Sequence, residues 1–204
     1  MTSQILGCMM ADIVSEPLID GETLAEKESP RRFSLGTVIS FGLILGFLAL
    51  LGWGLVQVNN GQVDSGMAPD FTITSFDGET INLSELRGQV VIINFWASWC
   101  PPCREEAAYL EATWRKYQNR DVIFIGVDYV DTEKEALAYL EEFDITYFNG
   151  ADVGTRISHD YRIDGVPETY YVAKNGELRG VKIGPLVPPE LDEKIEELLA
   201  EQYP

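Results

Sequence analysis

The stretch "NFWASWCPPCREE", Asn94–Glu106, decides the fold. It holds two of only three cysteines in a chain of 204 residues, with two prolines between them. Ahead of it, "QVVIINFWA" (Gln89–Ala97) is a continuous apolar, β-branched run. Such a run predicts a strand buried on both faces. Behind it, Pro101 to Asn119 reads as a helix, with proline in the first turn and good helix formers after it. Cys100 therefore sits where a buried strand meets a helix N-terminus. The partial positive charge and free N–H groups there favour thiolate over thiol. The thiolate is the form that attacks disulfides. Cys103, one turn on, can reach the same sulfur.

Three chemistries compete for this pair. A zinc site needs four ligands, usually a second CxxC or a pair of histidines. The chain offers only Cys8 and His159 besides, so no metal is expected. A purely structural disulfide remains possible, but so short a loop contributes little entropy on closure. The favoured reading is a redox-active dithiol, with Cys100 the nucleophile and Cys103 the residue that resolves the mixed disulfide. It calls for no cofactor.

The charge balance excludes one class of partner. The chain has 15 basic and 33 acidic residues, a net charge of −18. Such a surface repels phosphate backbones, so nucleic-acid binding is not expected. "FSLGTVISFGLILGFLALLGWGLVQV", residues 33–58, has no ionisable side chain. As a helix, Leu35 to Val58 would span roughly 36 Å, against about 30 Å of bilayer hydrocarbon. It is too long for a signal-peptide core and follows a 32-residue leader, so an uncleaved transmembrane anchor is expected. Lys27, Arg31 and Arg32 precede it, and no Lys or Arg follows until Arg87. The positive-inside rule puts the N-terminus in the cytoplasm and the rest outside it, on the periplasmic or outer face. Gly42 and Gly46 have a helix-packing spacing, but a monomer is the expectation.

The rest of the chain divides accordingly. Residues 1–32 read as an acidic, disordered cytoplasmic tail holding Cys8 as a reduced thiol. Residues 59–67 read as a linker and 68–204 as the folded domain. Within it, "DFTITSFDGETINLSEL" and the stretch around Asn175-Gly176 carry hairpin signals. "DVIFIGVDY" reads as a second buried strand. "TEKEALAYLEEF" reads as an amphipathic helix with Ala136, Leu137, Leu140 and Phe143 on its apolar stripe. "VGTRISHDY" and "PPELDEKIEELLAEQ" read as further helices. The order predicts an α/β domain whose mixed sheet is covered on both faces.

"NFWASWCPPCREE" together with "GVPETYYV" resembles the extracytoplasmic, membrane-anchored thioredoxin-like disulfide reductases of the TlpA/ResA/CcmG type. The similarity runs from about Ala68 to Leu199, and the anchor ahead of it fits. The resemblance implies a thioredoxin-like fold with an added N-terminal hairpin, a cis proline at Pro167 facing the cysteines, and reduction of partner disulfides. It also implies a polytopic membrane electron donor and cytochrome c maturation as the task, with disulfide-bearing clients such as apocytochrome c.

Other residues follow from position. Asn94 stands where many thioredoxins carry a buried Asp. Glu106, one turn after Cys103, matches a glutamate of this reductase branch. It reads either as a proton carrier or as a solvated helix charge. Trp99, Val166, Pro167 and Glu168 are the expected client-contact residues. Trp96 is expected to pack around the site and His159 to lie on the surface. Pro101 and Pro102 have no N–H, so the Cys103 amide is the nearest backbone donor for a Cys100 thiolate. Glu105 and Glu106 oppose negative charge on sulfur. Together these predict a moderately acidic Cys100 and a reducing couple.

The alternatives are a general envelope reductase, for example for copper-site assembly proteins, and a metallochaperone on the same fold. The latter needs a CxxxC and a positioned histidine, which this chain lacks. A peroxidase would carry a Thr-x-x-Cys signature, also absent. A non-catalytic scaffold would survive Cys100→Ala.

Overall fold

The computed structural model describes residues 34–58 and 61–202. The acidic tail with Cys8, and Lys27, Arg31 and Arg32, lie outside the described residues. Two units are separable, one ending at Trp53 and one starting at Gly54.

The first unit is built on helix α1 (Leu35–Val58), 24 residues long. Its large apolar side chains from Leu35 to Trp53 stand exposed, and Leu35–Gly54 is long and apolar enough to cross a membrane.

The second unit is organised on β4 (Val90–Trp96), a strand whose seven residues are all buried. Its neighbours are β5 (Val122–Asp128), parallel, and β7 (Glu168–Val172), antiparallel. Outside β5 lies β6 (Phe148–Ala151), and outside β7 lie β8 (Glu177–Ile183) and then β1 (Ser65–Met67). The six-stranded mixed sheet thus has the order β1-β8-β7-β4-β5-β6. A separate hairpin of β2 (Thr72–Thr74) and β3 (Thr80–Asn82) turns at Asp77-Gly78.

Because side chains alternate along a strand, β4 sends its residues to two cores. Val91, Ile93 and Phe95 join Phe71, Ile73 and Tyr161 of α4 (Arg156–Tyr161) on one face. Val90 and Ile92 join Leu110 and Tyr117 of α2 (Pro101–Tyr117) and Leu191, Ile195 and Leu198 of α5 (Glu190–Ala200) on the other. Asn94 has the parity of Val90 and Ile92, and so faces α2.

Three expectations need correction. The linker ends sooner than its composition suggests: Ser65–Met67 is an edge strand on β8, and Val63 N–H donates to the Tyr161 carbonyl at 3.4 Å. Its Gly and Ser residues hid a strand held by backbone pairing. β6, "FNGA", was unforeseen because Asn and Gly are poor strand formers. On α3 (Glu133–Glu142) the buried residues are Ala136 and Tyr139, while Leu137 is 42% exposed. The apolar stripe is therefore centred on Tyr139, whose ring the pattern had passed over.

Candidate active site

Cys100 is the N-cap of α2, with extended backbone at φ −88° and ψ 109°, and Pro101 and Pro102 open the helix. Proline costs nothing there because first-turn N–H groups have no partner within the helix. Cys100 and Cys103 form a disulfide. The Cys103 N–H donates to Cys100 Sγ at 3.2 Å, as the missing proline donors led one to expect. Both cysteines are buried, in a cluster with Trp96, Ala107, Ala136 and Tyr139.

The site is closed on one side by the loop that leads into β7. The Val166–Pro167 peptide is cis, and the Val166 carbonyl oxygen stands 3.4 Å from Cys100 Sγ. Val166 is thus brought to the sulfur directly. Glu168, expected to contact the client, is buried in the free chain. Its carboxylate is 1% exposed and turned into the loop. It accepts Asp164 N–H at 2.9 Å, Gly165 N–H at 3.3 Å and the Tyr170 hydroxyl at 3.0 Å. The acid is drawn inward by loop N–H groups that have no other acceptor among the described residues.

On the other side, the segment between β5 and α3 is fastened to the residues before Cys100. Tyr129 N–H donates to the Trp96 carbonyl at 2.8 Å. Ser98 N–H donates to Asp131 Oδ2 at 2.6 Å, and Trp99 Nε1–H donates to the Val130 carbonyl at 3.1 Å. Between these fastenings Val130 takes φ +51°, which is disfavoured for a β-branched residue. Trp99 is 57% and Val130 58% exposed, so an apolar step stands beside the disulfide. Trp96 is buried, stacked on Tyr139 at 4.4 Å, and donates to Asn149 Oδ1 at 2.9 Å. That close approach requires Gly126, where a Cβ would lie 1.7 Å from Asn149 Oδ1. The Tyr139 hydroxyl donates to the Cys103 carbonyl at 3.0 Å.

Glu106 is buried, not solvated. It stands three residues after Cys103 on the same buried side of α2, at a spacing that makes helix neighbours. Asn94 Nδ2 donates to its Oε1 at 3.0 Å, and Leu186 N–H donates to its Oε2 at 2.6 Å. Burial pushes the Glu106 carboxyl up to about 7, against the opposing pull of the Leu186 N–H, Asn94 and the Lys182 charge. A group with that value can hold or release a proton near neutral pH. Asn94 also donates to Thr169 Oγ1 at 3.0 Å, so the amide holds Glu106 in a fixed place. Sequence reasoning noted that Asn94 stands where many thioredoxins carry an acid. It missed that Asn94 supports the acid supplied by the helix. Glu105, by contrast, is exposed.

Another buried acid went unnoticed. Asp128 closes β5 beside Trp96 in the parallel register. Its Oδ1 has no hydrogen-bond partner among the described residues. Burial first, then the charges of Asp131 and Asp152, push it up to about 7. His159 is exposed, as expected. Among the described residues no group of three or more His, Cys, Asp or Glu is placed to hold a metal ion.

Residues 65–181 match the AhpC/TSA family. The chain is 33% identical to the thiol:disulfide interchange protein DsbE of Allochromatium vinosum, over 80% of this chain and 92% of that one. It is 26% identical to the thiol-disulfide oxidoreductase ResA of Oceanobacillus iheyensis, over 89% of this chain and 96% of that one. Among solved structures, a thioredoxin-family thiol:disulfide interchange protein of Chlorobium tepidum superposes with a TM-score of 0.62 at 23% identity. That match covers 69% of this chain and 100% of the other, and it shows the fold to be thioredoxin-like.

Proposed function

The chain belongs to the AhpC/TSA family as a thioredoxin-like thiol-disulfide oxidoreductase of the ResA/DsbE type, and from that premise we propose that it works as a reductant of client disulfides outside the cytoplasm. In this reading α1 is a single-pass anchor, and the basic residues ahead of it keep the N-terminus in the cytoplasm. The task is cytochrome c maturation, in which the heme-attachment cysteines of the apoprotein must be reduced. A polytopic membrane donor returns electrons to the dithiol, because the surroundings would otherwise leave it oxidised.

The chemistry balances as follows. The Cys100 thiolate attacks one sulfur of the client disulfide; a Cys100–client bond forms and the other client sulfur leaves as a thiolate. Cys103 then loses its proton and attacks Cys100 Sγ. The mixed disulfide breaks, the second client sulfur leaves, and the Cys100–Cys103 disulfide forms. Two electrons pass to the client and two protons end on its thiols. Glu106 takes the Cys103 proton in the second step. The observation that carries this assignment is its burial one helical turn from Cys103, with a carboxyl poised near 7.

Trap the clients with Cys103→Ala, which cannot resolve the mixed disulfide, and identify what is held. Heme-attachment apoproteins support the maturation role. Other envelope proteins alone, such as copper-site assembly factors, sink that role and leave a general reductase. If Cys103→Ala holds no more than Cys100→Ala, the reductase reading itself fails.

A further inference from the structure

We infer that Gln62 is a positioning residue for the loop that receives the client, an inference that rests on the reductase reading above. Gln62 lies in the stretch expected to be a mere linker. Its side-chain amide nonetheless reaches across 102 positions to Asp164 Oδ2 at 2.9 Å, and donates to Glu168 Oε1 at 3.3 Å. A glutamine amide has two N–H donors, and the two carboxylates take both. The backbone around it is fixed independently. Val63 N–H donates to the Tyr161 carbonyl, and Ser65–Met67 pairs with β8.

What Gln62 holds is the base of the Val166–Pro167 loop. Glu168 Oε1 also accepts the Asp164 and Gly165 N–H groups. The next residue is Val166, whose carbonyl stands against Cys100 Sγ. Asp164 in addition lines an open cleft of about 490 Å³ with Tyr129 and Arg162. Two carboxylates of like charge thus share one neutral amide clamp directly under the backbone that an extended client would pair with. Without the clamp, Asp164 is free to swing away and Glu168 keeps only part of its donors. The loop would then be less prepared for a client, while the cysteines, Asn94 and Glu106 would be untouched.

The test uses the full chain in detergent, reduced beforehand, with two probes. One is a short peptide with an intramolecular disulfide; the other is a small aromatic disulfide that needs no backbone pairing. Gln62→Ala should raise KM for the peptide about 3- to 10-fold, the size expected from one lost hydrogen bond. The peptide kcat and the rate with the small disulfide should stay within about twofold of the parent. Gln62→Glu should raise KM further, because a third carboxylate repels the other two. Gln62→Lys should restore it, because an ammonium donates to both. An unchanged peptide KM in Gln62→Ala and Gln62→Glu overturns the inference, as does an equal loss with both probes. If the parent chain reduces neither probe, the reductase reading fails first, and that result is distinct from either.

Discussion

Asn94 on the central strand donates its side-chain amide to Glu106 on the helix that carries the cysteines, at 3.0 Å. The strand therefore offers a neutral donor where an acid could have stood, and the acid comes from the helix instead. Burial then lifts that acid to about 7.

Glu106→Gln should remove an inflection near pH 7 from the rate of dithiol–disulfide exchange, measured under single-turnover conditions. The variant should also change the pH dependence of stability. The folded value lies above the ordinary 4.5, so its contribution is fully present below about 4.5 and is lost as pH rises through about 7. The parent chain should lose on the order of 3 kcal/mol across that window from this group, by the linkage of pKa to stability. The variant should lose correspondingly less in denaturant titrations at pH 5 and pH 8. An unchanged exchange profile would sink the proton-carrier role.

Val130→Gly tests the strained segment beside the disulfide. The Trp99 indole bonds to the backbone carbonyl at position 130 and Ser98 to the Asp131 carboxylate, so the fastening survives the change. Relief of a disfavoured φ should outweigh the added freedom of the unfolded chain and raise stability by about 1 kcal/mol. A loss of stability of similar size would show that the isopropyl group packs, contrary to its exposure.

Glu168→Ala should be costly, although the residue lies next to Pro167 and touches no client in this account. Two backbone N–H groups lose their acceptor, while the Tyr170 hydroxyl still has the Tyr161 carbonyl at 3.0 Å. Leaving these part-buried donors unpaired should cost about 1–2 kcal/mol in chemical denaturation. Stability within about 0.5 kcal/mol of the parent would contradict the structural assignment.

Much of this was legible because local rules and tertiary structure agree. The β-branched run up to Trp96 makes the buried strand, Pro101 and Pro102 open the helix, and Asp77-Gly78 and Asn175-Gly176 make the turns. What was not legible depends on distance along the chain. The partner of Glu106 is the Leu186 amide, 80 positions away, and no local pattern announces it. Glu168 looked like a client contact because its neighbour Pro167 faces the cysteines. Only the fold shows that the Asp164 and Gly165 N–H groups hold its carboxylate under the loop. Gln62 looked like linker for the same reason that β1 did: polar and glycine-rich stretches say nothing of the backbone they pair with.

The central claim is that this pair gives electrons. It is tested most directly by the midpoint potential of the Cys100–Cys103 couple, from equilibration of the full chain in buffers of reduced and oxidised dithiothreitol. The expected value is reducing and near that of thioredoxin, about −270 mV. A value near −120 mV, typical of strongly oxidising CxxC proteins, would contradict it.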